Sequence, residues 1–163
     1  MISMNAKAIN ELINSLKAIT VHGDAIIIPA DKTADRLELK DHSYYFWVDI
    51  NRKGHRLKKL TLQLREQQRK ELPLLRLDIY GPPHQNPEGD FPLAGEIIPC
   101  PHIHIAHPEY GISIAYPLNN TYAKMLIPNV MIDDALVVVK EFLRRCNVGN
   151  IDDYTYTYQT ELL

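Results

Sequence analysis

Two short runs of this chain place chemically capable side chains at every second position. In PCPHIHIAHPEYG, residues 99–111, His102 and His104 alternate with Ile103 and Ile105, and His107 follows. In LRLDIY, residues 75–80, Arg76, Asp78 and Tyr80 alternate with Leu75, Leu77 and Ile79. Successive side chains of a strand point to opposite faces, so each run gathers its polar residues on one face. Imidazole takes up and releases protons near neutrality. Guanidinium offers bidentate bonds to an anionic transition state. Metal-independent RNA cleavage needs a base for the 2′-hydroxyl, an acid for the leaving oxygen and cations for the phosphorane. The spacing therefore suggests His102 and His104 as acid and base, Arg76 as phosphate clamp and Asp78 as the carboxylate that orients an imidazole. Tyr80, His84, Trp47 and Arg65 are the candidate substrate-binding residues, with Trp47 or a tyrosine stacking a base.

Other chemistries compete for the same residues. His102 and His104 can share a zinc ion, with His84, His107, Asp78 or Glu109 as further ligands. Two firm ligands are a thin set, and the expectation is of no cofactor and no native metal. Histidine-triad nucleotide hydrolysis requires a third alternating histidine, but Ala106 stands there and His107 falls on the other parity, which excludes it. A polar sheet face also carries such residues simply because it meets water. The stretch NRKGHRLKKL, residues 51–60, holds five Lys or Arg and no acid, so it suits either a phosphate backbone or a solvated edge that discourages strand pairing.

The whole chain sets limits on these readings. Its 163 residues, 45% hydrophobic, suffice for one domain with a sizeable core. A formal net charge of −2 gives no overall field for nucleic acid, although a local patch remains open. Cys100 and Cys146 form no CxxC pair and suggest structural thiols in a reducing, cytoplasmic setting. No uncharged apolar run approaches the roughly 18 residues of a membrane span.

The elements that must position the site follow from periodicity. Ile9, Leu12, Ile13, Leu16 and Ile19 give residues 6–20 the stripe of a helix, capped by Ser3 or Asn5 and stopped by His22-Gly23. AIIIP at 25–29 reads as a strand or a buried connection. Period-two alternation then dominates through Phe46, Val48 and Ile50, then Leu60, Leu62 and Leu64, then Leu75, Leu77 and Ile79. It returns in Ile103 and Ile105, and in Ile112 and Ile114 around Ser113. The expected fold is a single α+β domain over 1–163, with one antiparallel meander of five to six strands. An N-terminal and a C-terminal helix pack on one face, leaving the other open to solvent. The second helix carries Ala135, Leu136, Val139, Phe142, Leu143 and Cys146, opens at Asp133 and Asp134, and ends at Asn147 and Gly149. Residues 81–101 form a Pro- and Gly-rich loop of a length that often serves function. The tyrosine-rich tail, 151–163, adds a strand or reaches a partner chain.

RLDIYGPPHQNP (76–87) followed by PHIHI (101–105) resembles uncharacterised small proteins of bacterial mobile elements and prophages. YGISIAYPL (110–118) and FLRRCNV (142–148) extend that resemblance. More distantly, the order of an Arg-x-Asp strand, a His- and Pro-bearing loop and a Pro-His-x-His segment is similar to TumE-like toxins of toxin–antitoxin pairs. That likeness implies a ribonuclease whose site includes Arg76, Asp78, His84, His102 and His104. It implies RNA as substrate and an antitoxin-like protein as partner. The alternative is a non-enzymatic accessory or inhibitor protein of a mobile element that contacts a protein. The exposed faces of the tyrosine tail admit a homodimer, and no membrane partner is expected.

Overall fold

A computed structural model describes residues 4–54, 59–69 and 72–160. In chain order the elements are α1 (Ala6–Asn14), β1 (Ala18–Ile19), β2 (Ala25–Ile28), β3 (Ala34–Lys40), β4 (Tyr45–Asn51), β5 (Thr61–Glu66) and β6 (Pro73–Asp78). They continue as β7 (His84–Gln85), β8 (Ile97–Ile98), β9 (His102–Ile105), β10 (Ala115–Pro117), α2 (Ala135–Arg145) and β11 (Thr155–Tyr158). The fold is α+β. Its main sheet has seven strands in the order β1-β3-β4-β5-β6-β9-β10, each antiparallel to its neighbours. β4, β5 and β6 follow one another as the expected meander, with β3 as a further strand ahead of them.

Alternation builds one face of that sheet into the core. Phe46, Val48, Ile50, Leu62, Leu64, Leu75, Leu77 and Ile103 are all buried, and they share one cluster with Ile9, Leu12 and Ile13 of α1 and Val138, Val139, Phe142 and Leu143 of α2. Burying large aliphatic and aromatic side chains contributes about 1.5–3 kcal/mol each, which makes this face the main source of stability.

Two sequence expectations change. First, α1 stops at Asn14, where the periodic stripe had run to residue 20. Asn5 caps its start by accepting from Ala8 N at 2.8 Å, but Ser15 turns extended, Leu16 is exposed, and Ile19 buries itself from β1 instead. The cause is Lys17, 1% exposed. Its Nζ donates to Ile13 O (2.9 Å), Ser15 O (3.0 Å) and Cys146 O (2.9 Å), closing the ends of both helices, and it lies 4.9 Å from the centre of the Phe46 ring. Second, Ile112 and Ile114 do not form a strand. His107 and Gly111 bridge each other around a turn, and the last strand of the sheet is β10, beginning at Ala115. The tail adds a strand, one of its two expected roles: β11 lies parallel to β2, pairing Thr155–Tyr158 with Ala25–Ile28.

The loop over 81–101 is ordered. His84–Gln85 and Ile97–Ile98 pair as a two-stranded ribbon, and Asn86 N donates to Glu96 O at 2.9 Å. Gly95 turns the chain at φ +74, where an added Cβ would run into the Glu88 carboxylate. Asn86, 1% exposed, fixes the ribbon to the body of the protein.

Candidate functional site

β6 and β9 are adjacent antiparallel strands whose register sets Arg76 opposite His104 and Asp78 opposite His102. The four side chains therefore reach the same face, the one turned away from the helices. Asp78 is their centre. Its Oδ1 accepts from Thr61 Oγ1 at 2.9 Å and from Arg76 Nε at 3.2 Å. Its Oδ2 lies 3.3 Å from Nε2 of His102 and 3.3 Å from Nε2 of His104. The two imidazoles meet edge to face, with centroids 4.9 Å apart.

This face is not open. His102 and His104 are 2% and 6% exposed, against the expectation of a wet sheet surface. The folded loop supplies the cover: His84 stands on its ribbon with its ring centroid 4.7 Å from that of His104 and 6.1 Å from that of His102. His84 Nε2 donates to Ser113 O at 2.6 Å. What remains is a cavity of about 710 Å³, lined among others by Lys59, Arg76, Tyr80, His84, Cys100 and Ser113, with Asp78, His102 and His104 in its wall.

Charge follows the contacts. Burial alone would raise the Asp78 carboxyl, but hydrogen bonds from His102 and His104, the Arg76 charge and the Thr61 hydroxyl hold it far below the ordinary carboxylate range. Burial works against a charged His102, yet its bond to Asp78, seconded by Cys100, raises its pKa to about 9. His84 moves the other way. Burial lowers it, the charges of His104, His102 and Arg76 add to that, and the Ser113 carbonyl opposes. Burial together with the hydrogen bond to Asp133, just ahead of α2, pushes the Tyr80 phenol up to about 12.

The candidate residues thus divide. Arg76, Asp78, Tyr80, His84, His102 and His104 come together around one cavity. Trp47 and Arg65 do not line it. Arg65 is paired with Asp49 through two bonds of 2.7 and 3.0 Å, and the Trp47 ring carries the Arg36 guanidinium 4.0 Å from its centre. His107 also lies apart, its ring 5.0 Å from that of Tyr110. Of the basic stretch, Lys59 and Gly54 reach the cavity, while residues 55–58 lie outside the described residues. Thr61 was missed, although its place two residues before Gln63 on an alternating strand was the available signal. Asn86 and the carbonyls of Ile98 and Ile112 left no signal, because they act through the loop's fold.

Among the described residues, no helix is long and apolar enough to cross a membrane. Neither curated proteins nor solved structures give a match to the chain. A family model does match, over residues 4–148, which takes in the whole cavity and both helices and leaves out β11. On that coverage the chain belongs to DUF6978, a family of unknown function.

Proposed function

We propose that this protein is a toxin-like endoribonuclease of a bacterial mobile element, and that the cavity beside Asp78 binds and cleaves a phosphodiester. What carries the reading is one observation: Asp78 holds Arg76, His102 and His104 together on the wall of a cavity that also presents Lys59 and His84. Arg76 spends its Nε on Asp78, so the fork of terminal amino groups is the part it offers to an anion, with Lys59 as a second positive charge. Both Nε2 atoms of the histidine pair are engaged beside Asp78, each 3.3 Å from its Oδ2. Proton exchange with substrate therefore belongs to His84 at the mouth, with His102, His104 and Asp78 behind it as a charged base. His84 Nε2 faces a carbonyl and carries the hydrogen, which in the neutral ring leaves Nδ1 as the acceptor.

The test compares growth arrest and RNA decay after expression of the native chain, Arg76→Ala, His84→Ala and His102→Ala/His104→Ala, each checked for folding by circular dichroism. Loss of RNA decay in folded variants supports the reading; equal decay in all four discards it.

A second reading has its own observation. Tyr122, Leu126, Val130 and Met131 expose 51%, 71%, 88% and 43% of their surface in one apolar segment, as a face that docks on protein does. It supports an accessory or inhibitor protein with a protein partner, or a toxin capped by an antitoxin-like partner, or a homodimer. Light scattering of the native chain and of Leu126→Glu/Val130→Asp, alone and with the protein encoded beside it, separates these. A mass unchanged by the substitutions and by the neighbour removes this reading.

A further inference from the structure

The two buried histidines have both ring nitrogens aimed at acceptors. His104 Nδ1 lies 2.8 Å from Ile112 O, and His102 Nδ1 lies 3.2 Å from Ile98 O and 3.3 Å from Pro99 O. A carbonyl oxygen has no proton to give, so each Nδ1 carries the hydrogen. In a neutral ring Nε2 is then a lone pair, and each Nε2 lies 3.3 Å from Asp78 Oδ2, that of His102 in hydrogen-bond geometry. Lone pairs do not face a carboxylate oxygen unless something positive lies between. That is either a proton on each ring or one cation shared by all three atoms.

Distance and bracing favour the shared cation. The Asp78 Oδ2 separations are both 3.3 Å. Tetrahedral ligands bound at about 2.0–2.1 Å stand about 3.3 Å from one another, by the geometry of such a site. The bracing also fits: Nδ1 of each histidine is fixed by a backbone carbonyl, and the second oxygen of Asp78 is held by Thr61 and Arg76, leaving Oδ2 as the coordinating atom. Ligand-bearing imidazoles and carboxylates are oriented in this way by their outer partners. The three donor atoms lie within 4.8 Å of one another, close enough for small ring rotations to bring them onto one ion.

We propose that Asp78, His102 and His104 bind one divalent transition-metal ion of the zinc or iron class, through Oδ2 and the two Nε2 atoms, with its remaining positions turned to the cavity. Two imidazoles and one carboxylate with open positions is a donor set for chemistry rather than for structure alone. The expectation of no native metal rested on two ligands; β6 brings the third across the sheet. The ion can bind whether or not RNA enters the cavity, so this inference does not stand or fall with the ribonuclease reading.

The experiment uses the full chain without a histidine tag, stripped with a chelator and titrated with Co²⁺, then Zn²⁺. One equivalent of Co²⁺ should bind with visible d–d absorption that Zn²⁺ abolishes. His107→Ala should keep the full signal. His102→Ala, His104→Ala and Asp78→Asn should each weaken binding by at least about 100-fold, beyond what loss of an outer partner costs. Should those variants not fold, ¹⁵N spectra of the native chain decide, since Zn²⁺ should shift Nε2 of two histidines and spare the rest. Absence of a band in the native chain, or a band of equal strength in folded His102→Ala/His104→Ala, overturns the site. RNA decay measured in parallel, with and without chelator, keeps the two questions apart. A band without cleavage rejects only the ribonuclease, and cleavage without a band rejects only the metal.

Discussion

Asn86 closes the outer edge of β10 by pairing with both backbone groups of Ala115: its Oδ1 accepts from Ala115 N at 2.8 Å and its Nδ2 donates to Ala115 O at 2.9 Å. One amide side chain does here what a neighbouring strand does elsewhere, and it fastens the ribbon that covers the histidines. Asn86→Ala leaves two buried backbone groups unpaired, at a cost of about 2–4 kcal/mol. Urea unfolding should show that loss, and amide exchange at Ala115 should quicken with it. A loss below about 1 kcal/mol would mean that water replaces the clamp.

Lys17 gives stability a slope with pH. Burial lowers its pKa from 10.5 to about 8 in the folded chain. Between those values the unfolded chain binds the proton and the folded chain does not, so stability rises with pH across that window. From pH 7.5 to 9.5 the native chain should gain about 2 kcal/mol relative to Lys17→Met, which lacks the group. Paired urea titrations at the two pH values measure the difference, and parallel behaviour of the two proteins would refute it. Lys17→Met should also be less stable at either pH, because three helix-end carbonyls lose their donor.

The two thiols should differ in reactivity. Cys146 is fully buried, and burial pushes its pKa up to about 12, whereas Cys100 is half-buried on the cavity wall. Iodoacetamide at pH 8 should label Cys100 and spare Cys146 in the folded protein, since the thiolate is the reactive form. Peptide mass spectrometry reads the ratio. Labelling of Cys146 as fast as Cys100 would show that the α2 end opens readily.

Two arginines on the polar face should behave differently. Arg65 is neutralised by Asp49 on the neighbouring strand, while Arg76 faces the cavity. If the cavity cleaves RNA, Arg76→Ala should reduce cleavage by about 100-fold or more, the scale for losing one donor to a developing anion. Arg65→Ala should stay within about threefold of the native chain. A fluorescent oligoribonucleotide assay distinguishes them, and an equal loss from both would move the site elsewhere on the sheet.

The central strands were legible because Phe46, Val48, Ile50, Leu62, Leu64, Leu75 and Leu77 alternate strictly, and burial on one face requires that pattern. β3 was not: ADRLELK carries four charges, and only Leu37 and Leu39 are buried. The end of α1 was misread because Leu16 and Ile19 continue a helical stripe, and nothing local says that Lys17 turns inward to meet Cys146. Parity put Arg76, Asp78, His102 and His104 on one face, as the register has them, yet the burial of that face was invisible. The cover comes from Asn86 and His84, which act across a loop rather than along a strand. Periodicity reports which way a side chain points, and only the folded loop decides whether water is there to meet it.

The two ends of the chain are stitched together. Asn147 Nδ2 donates to Asn14 O at 2.7 Å, Asn150 spans Ile19 through Oδ1 at 2.8 Å and Nδ2 at 3.1 Å, and β11 lies along β2. In synthesis, residues 14–28 therefore precede their partners by more than a hundred residues. The residues of the strands around Asp78, His102 and His104 all precede those partners in the chain. A nascent chain paused ahead of Asn147 holds every residue of the cavity but has an open seam at its start. That seam joins segments made before the cavity strands to segments made after them.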